Sequence, residues 1–170
     1  RLSKVVSRAV ADVLVAGWRA RQSEMELIAF LDRHGFEPRL ADKLIQCWGE
    51  AAKATIEANP YLLLAVAGWG RVDMEARKLG VADDDRRRMV GAVEAALYGR
   101  LNAGHTLTPH AAAVKLVNAL LGRGKGPTAI GAAVEEGAIV GTEAAGYQPI
   151  GANSLEQGIA ARLSAMIAGE

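Results

Sequence analysis

Cysteine, aromatic residues and net charge are all scarce in this sequence. Cys47 is the single cysteine in 170 residues, so neither an internal disulfide nor a cysteine-based zinc site can form. That fits a reducing compartment, and a cytoplasmic location is the expectation. Aromatics make up 5% of the chain and alanine is abundant, a balance that favours helices over β-sandwiches. Twenty Lys and Arg against nineteen Asp and Glu leave a formal charge of +1. The chain is therefore no histone-like polycation, and any nucleic-acid binding must come from local patches. No run of about 18 apolar residues escapes a charge, so no membrane-spanning helix and no membrane partner is expected. The amino end also lacks the short apolar core of a signal peptide.

What is present is a globular composition, 51% hydrophobic and 23% charged, unlike a disordered or collagen-like chain. A chain of this length can bury roughly 70% of its unfolded surface without staples. It opens at Arg1 inside an already helical pattern, as expected of a piece of a longer protein.

Leu2, Val5, Val6, Ala9, Val10, Val13, Leu14 and Trp18 follow helical spacing and predict one apolar stripe, with Lys4, Arg8 and Asp12 on other faces. Ser23-Glu24-Met25-Glu26 has the form of a capping box and predicts a second helix, stopped by Gly35. Pro38 suits the first turn of a third, with Leu40, Ala41, Leu44 and Ile45 inward. After Gly49 a short helix ends at Asn59-Pro60. Gly68-Trp69-Gly70 is read as a turn, Gly80 as a helix cap, and Asp83, Asp84 and Asp85 as the start of the next helix. Beyond Gly104 come a helix from Thr108-Pro109 to Leu121, the loop Gly122-Arg123-Gly124-Lys125-Gly126, and a helix from Pro127. A β-hairpin around residues 138–150 and a final helix capped from Asn153 complete the chain. Helix, short extended piece, two helices, hairpin is the order of a winged helix. The expected fold class is mainly α: a tandem helix-hairpin-helix bundle over residues 1–103, then a small winged-helix-like module with one β-hairpin over residues 104–170.

Two segments suggest phosphate binding. Around Gly35-Phe36-Glu37-Pro38, a tight turn between helices would point successive backbone N–H groups outward, with Arg33, His34, Arg39 and Lys43 supplying charge. The plain alternative is a helical hairpin with a solvated basic edge. Gly68-Trp69-Gly70-Arg71 also allows close backbone approach; Trp69 would stack on a base or plug the core. Arg86-Arg87-Arg88 follows Asp83-Asp84-Asp85 at pairing distance and reads as a self-compensating face. The loop at 122–126 fails as a phosphate-binding loop, because Gly126 follows Lys125 where Ser or Thr is needed and Ala119 stands where Gly is needed. His34, His105 and His110 have no metal-ligand spacing, and no nucleophile–base pair is visible. No catalytic residue, metal or cofactor is expected in this chain. The Ala-rich helix from Pro127 ends in Glu135-Glu136, which would repel phosphate.

Several stretches together resemble the amino-terminal region of RecD-type superfamily 1 DNA helicases, the exonuclease V alpha-like group that includes the helicase halves of conjugative relaxase-like proteins. They are Phe30-Leu31-Asp32-Arg33-His34-Gly35-Phe36, Trp48-Gly49, Glu57-Ala58-Asn59-Pro60-Tyr61, Arg71-Val72-Asp73, Ala76, Leu79-Gly80-Val81, the segment 88–97, and Gly104-His105-Thr106. The tail around Pro149-Ile150 resembles the segment that leads to the motor. The resemblance implies tandem helix-hairpin-helix elements in front of an ATP-driven motor, with ATP and Mg bound beyond Glu170. The second hairpin departs from the family pattern, since about three residues are missing between Asn59 and Asp73. The functional expectation is a non-catalytic accessory domain that holds DNA backbone without sequence preference, with the motor domain as its other partner. The alternative is a scaffold that packs on the motor without touching DNA; a nuclease ranks third, for want of a metal-binding carboxylate cluster.

Overall fold

The computed structural model describes residues 7–168. Leu2, Val5 and Val6 of the expected first stripe, and Lys4 beside it, lie outside the described residues. The chain is 75% helical with one two-stranded antiparallel sheet, and it divides into two compact units after Val66. The composition change had suggested a boundary near Ala103. The helix before that point packs on the two helices after it, so a division there would split one core.

In the first unit, α1 runs unbroken over Arg8–Arg33, with Ser7 as its N-cap. No new helix starts at Ser23. The residues before it, Arg19-Ala20-Arg21-Gln22, are good helix formers, and the pairs Arg21–Glu24 and Gln22–Glu26 fasten successive turns across the expected break. Only the carboxyl-terminal part of α1 carries a continuous buried face, through Leu27, Phe30 and Leu31. Val13 is 71% and Trp18 68% exposed, so the expected amino-terminal stripe is not a core face. A 3-10 turn at Pro38–Leu40 leads into α2 (Ala41–Trp48), and a second at Gly49–Ala51 leads into α3 (Ala52–Ala58). Both helices pack on α1. Asn59 caps a third 3-10 segment, Pro60–Ala65, by accepting from the Tyr61 N–H.

The second unit comprises α4 (Trp69–Lys78), α5 (Arg86–Asn102), α6 (His110–Leu121), α7 (Gly126–Glu135), β1 (Ile139–Thr142), β2 (Gly146–Pro149) and α8 (Ile150–Ala168). Helices α5, α6 and α7 surround a core that includes Val93, Leu97, Val117 and Ile130. Gly126 lets α7 approach α6: a Cβ there would lie 2.9 Å from the Val114 carbonyl oxygen. The strands pair Ile139 with Pro149 and Thr142 with Gly146, and Thr108 bridges to Tyr147 beside them. The element order is thus α5, bridge, α6, α7, hairpin. His110 Nδ1 lies 3.1 Å from the Tyr147 hydroxyl, whose pKa is raised by burial and by Glu143. The last helix begins at Ile150 rather than Asn153. Apart from Ala152 it buries no residue, leaving Leu155, Ile159, Leu163 and Ile167 exposed.

Candidate nucleic-acid interface

A helix ends with carbonyls that have no intrahelical donor, and a left-handed residue just past the end lets two following N–H groups turn back to them. At the end of α1 that residue is Gly35, with φ +64°. Its N–H donates to Asp32 O at 2.9 Å and that of Phe36 to Leu31 O at 2.8 Å, while His34 N–H donates to Phe30 O. Phe36 is then drawn into the core. The arrangement corrects the expectation of an outward row of amides: the N–H groups of Gly35 and Phe36 face their own helix, not a phosphate. Pro38 has no N–H and that of Leu40 donates to Glu37 O. The backbone N–H groups of Glu37 and Arg39 are outside these bonds.

The charges are placed as follows. Arg33 is in the last turn of α1, Arg39 in the 3-10 turn, and Lys43 in α2; all three are exposed. Arg39 Nε donates to the Glu37 carboxylate. Arg33 and Lys43 join no ion pair among the described residues. His34 is half-buried, its ring 4.6 Å from that of Phe30, which makes it part of the turn's packing.

The second hairpin is not where the Gly-x-Gly pattern placed it. Gly68 is the N-cap of α4 in an extended conformation, and Trp69, Gly70 and Arg71 are the first residues of that helix. None of them has a positive φ among the described residues, so the segment opens a helix instead of closing a hairpin. Trp69 packs against the second unit's core and lies beneath the Arg88 guanidinium, 5.9 Å from its ring centre. The hairpin itself joins α4 to α5. Gly80, φ +90°, donates to Arg77 O and Val81 to Ala76 O, the bonds made by Gly35 and Phe36. The end of α5 repeats them once more, with Gly104 donating to Leu101 O and His105 to Arg100 O.

The turn between α4 and α5 is heavily charged and internally paired. Arg88, with its side chain 5% exposed, donates from Nε and Nη2 to both carboxylate oxygens of Asp73, at 2.8 and 3.0 Å. Arg77 holds the Asp83 carboxylate at 2.9 Å. Asp85 caps α5 by accepting from the Arg87 N–H, and the Arg87 side chain on the same carboxylate keeps the Asp85 pKa low. Arg86 reaches Glu135 and Glu136 at the end of α7, at 2.8 and 2.6 Å. The face is compensated, but not by the expected pairs three to four positions apart: within the two triplets Arg87 pairs closely with Asp85, while Arg86 and Arg88 take Glu135, Glu136 and Asp73 from other elements. Sequence reading missed Asp73 as the partner of Arg88; fifteen residues separate them, and no local pattern announces such a pair.

Serial helical hairpins closed by a left-handed glycine define a helix-hairpin-helix module. The family described as the ATP-dependent RecD2 DNA helicase HHH domain matches residues 20–107, more than half of the chain, and the chain belongs to it. It is a helicase-associated accessory domain. The match covers both hairpins and all of α5, and it ends before α6.

Proposed function

We propose that this domain holds the DNA backbone in place for a RecD-like helicase motor, without reading base sequence and without chemistry of its own. One observation carries the reading: in a helicase-associated hairpin domain, the first hairpin sets Arg33 and Lys43 in solvent with no acidic partner among the described residues. Cations so placed can neutralise phosphates, whereas those of the second hairpin already have counter-charges. The part of the second unit from α6 onward serves as a scaffold in the manner of a winged helix. The exposed positions of α7 are Pro127, Thr128, Gly131, Val134 and Glu135, and none offers a positive charge to a groove.

Titration of duplex, single-stranded and forked DNA over a range of salt tests the reading. About three or four phosphates neutralised on duplex predict a slope of log affinity against log salt near −0.9 for each. Arg33→Ala and Lys43→Ala should each weaken binding equally across sequences and reduce the slope by about one. No binding to any of the three DNAs at low salt would leave the scaffold reading, for which the exposed Leu155, Ile159 and Leu163 of α8 already speak.

A further inference from the structure

The α6–α7 loop and the second hairpin turn meet at Asp83. The glycine-rich loop at residues 122–126 fails as a nucleotide loop, yet its Lys125 Nζ donates to the Asp83 carbonyl oxygen at 3.3 Å. Arg88 Nη1 donates to the same carbonyl at 3.2 Å and lies 3.8 Å from the Asp83 carboxylate. Arg77 takes that carboxylate directly at 2.9 Å, with both side chains more than half exposed. Cations from α4, from α5 and from the α6–α7 loop therefore converge on a single acidic residue in the second hairpin turn.

We propose that Asp83 is a built-in competitor for phosphate: its carboxylate occupies an anion site that would otherwise take the backbone of a nucleic acid, and so keeps the second hairpin from binding at full strength. The inference rests on the DNA-holding function proposed above. Arg88 is anchored and neutralised by Asp73 whether or not Asp83 carries charge, so it supplies fixed N–H donors rather than free charge. Arg77 is the cation that changes hands, since its only ion-pair partner among the described residues is Asp83. Arg123, two residues before Lys125, is exposed and in no ion pair among the described residues. A carboxylate tethered beside Arg77 acts at a millimolar effective concentration, on the order expected for a short connection. A phosphate arriving from dilute solution has to displace it. Asp84, next in the chain, is exposed and in no ion pair among the described residues; it has the same charge in the same turn but does not hold the site.

The test compares Asp83→Asn with Asp84→Asn, which change the net charge equally. Forked and duplex DNA are titrated at several salt concentrations. Asp83→Asn is expected to bind several-fold more tightly than Asp84→Asn, with a salt slope steeper by about one. Adding Arg77→Ala to Asp83→Asn should abolish that gain. Equal affinities and slopes for the two Asn variants overturn the inference. A parental chain that binds no DNA sinks the proposed function instead, so the two failures are told apart. Thermal melts confirm that the variants fold. Should Asp83→Asn not fold, Asp83→Ser is compared with Asp84→Ser in the same titrations: several-fold tighter binding by the first is expected, and equal affinities overturn the inference.

Discussion

Single residues hold this domain in opposing ways. Gly35 and Gly80 sit at positive φ, where a Cβ meets the following carbonyl, so any substitution strains the backbone before it reaches a ligand. Alanine at Gly35 thus reports on folding, and DNA binding is better probed through side chains. Glu94 on α5 works against stability. It is half-buried with no ion-pair partner among the described residues, and loss of water raises its pKa above the usual 4.5. The folded chain therefore keeps this proton to higher pH than the unfolded chain does. Ionisation disfavours folding as pH rises through the unfolded and then the folded pKa. Glu94→Gln should accordingly raise the urea midpoint at pH 7, and the advantage should shrink as pH falls through the carboxylate range. Equal midpoint gains at neutral and acid pH would show that Glu94 is solvated like any surface carboxylate. Asp85 has the opposite sign. Its hydrogen bonds to Arg87 lower the folded pKa, so its contribution is present above the unfolded pKa and lost as pH falls through the folded one.

Among the elements, α1 distinguishes two readings most sharply. Proline is tolerated in the first turn of a helix but removes a hydrogen bond and clashes in its interior. If a helix began at Ser23, Ser23→Pro would be mild. In the continuous Arg8–Arg33 helix it should cost about 3 kcal/mol or more, read as lost helical ellipticity and a lower denaturant midpoint. A variant as stable as the parent would restore the break. This element also marks where sequence reading stops. The glycine that ends α1, the proline that opens the next turn and the Asp cap of α5 were all legible, because each residue type has one strong local reason to be there. The capping-box letters at Ser23 were legible too, but they are equally good interior residues when helix formers flank them on both sides. Gly68-Trp69-Gly70 misled for a related reason: glycine permits a positive φ without requiring one. Gly80 was recognised as a cap, yet its role as the pivot of the second hairpin depends on α5 folding back along α4. The Arg88–Asp73 pair secures that contact between positions far apart in sequence. The charged residues of the first hairpin were legible as a group. Which backbone amides remain available was not, since that depends on the closing bonds of the turn.

At the scale of the whole molecule, each unit has its own core, the first around Leu27, Leu31, Leu44 and Ile56 and the second around Val93, Leu97, Val117 and Ile130. Residues 67–170 expressed alone should unfold in a single cooperative transition, measured by circular dichroism in urea. A fragment without a sigmoidal transition would mean that the second core needs the first unit to form. The ion pairs of the second unit have a further consequence, in the timing of encounters. Arg77, Arg86, Arg87 and Arg88 each have a carboxylate within 4 Å, so their fields cancel within a few ångströms and little potential reaches into solvent. Long-range steering, which speeds association of strongly charged proteins with their targets, is weak for such a surface. If the domain holds DNA as proposed, attachment to a motor on the same strand would raise the local concentration without any new attraction. Once contact is made, few bonds have to break for release. Under the proposed function, rapid exchange would suit a module that has to release DNA as the strand moves, where prolonged residence at one spot would act as a brake.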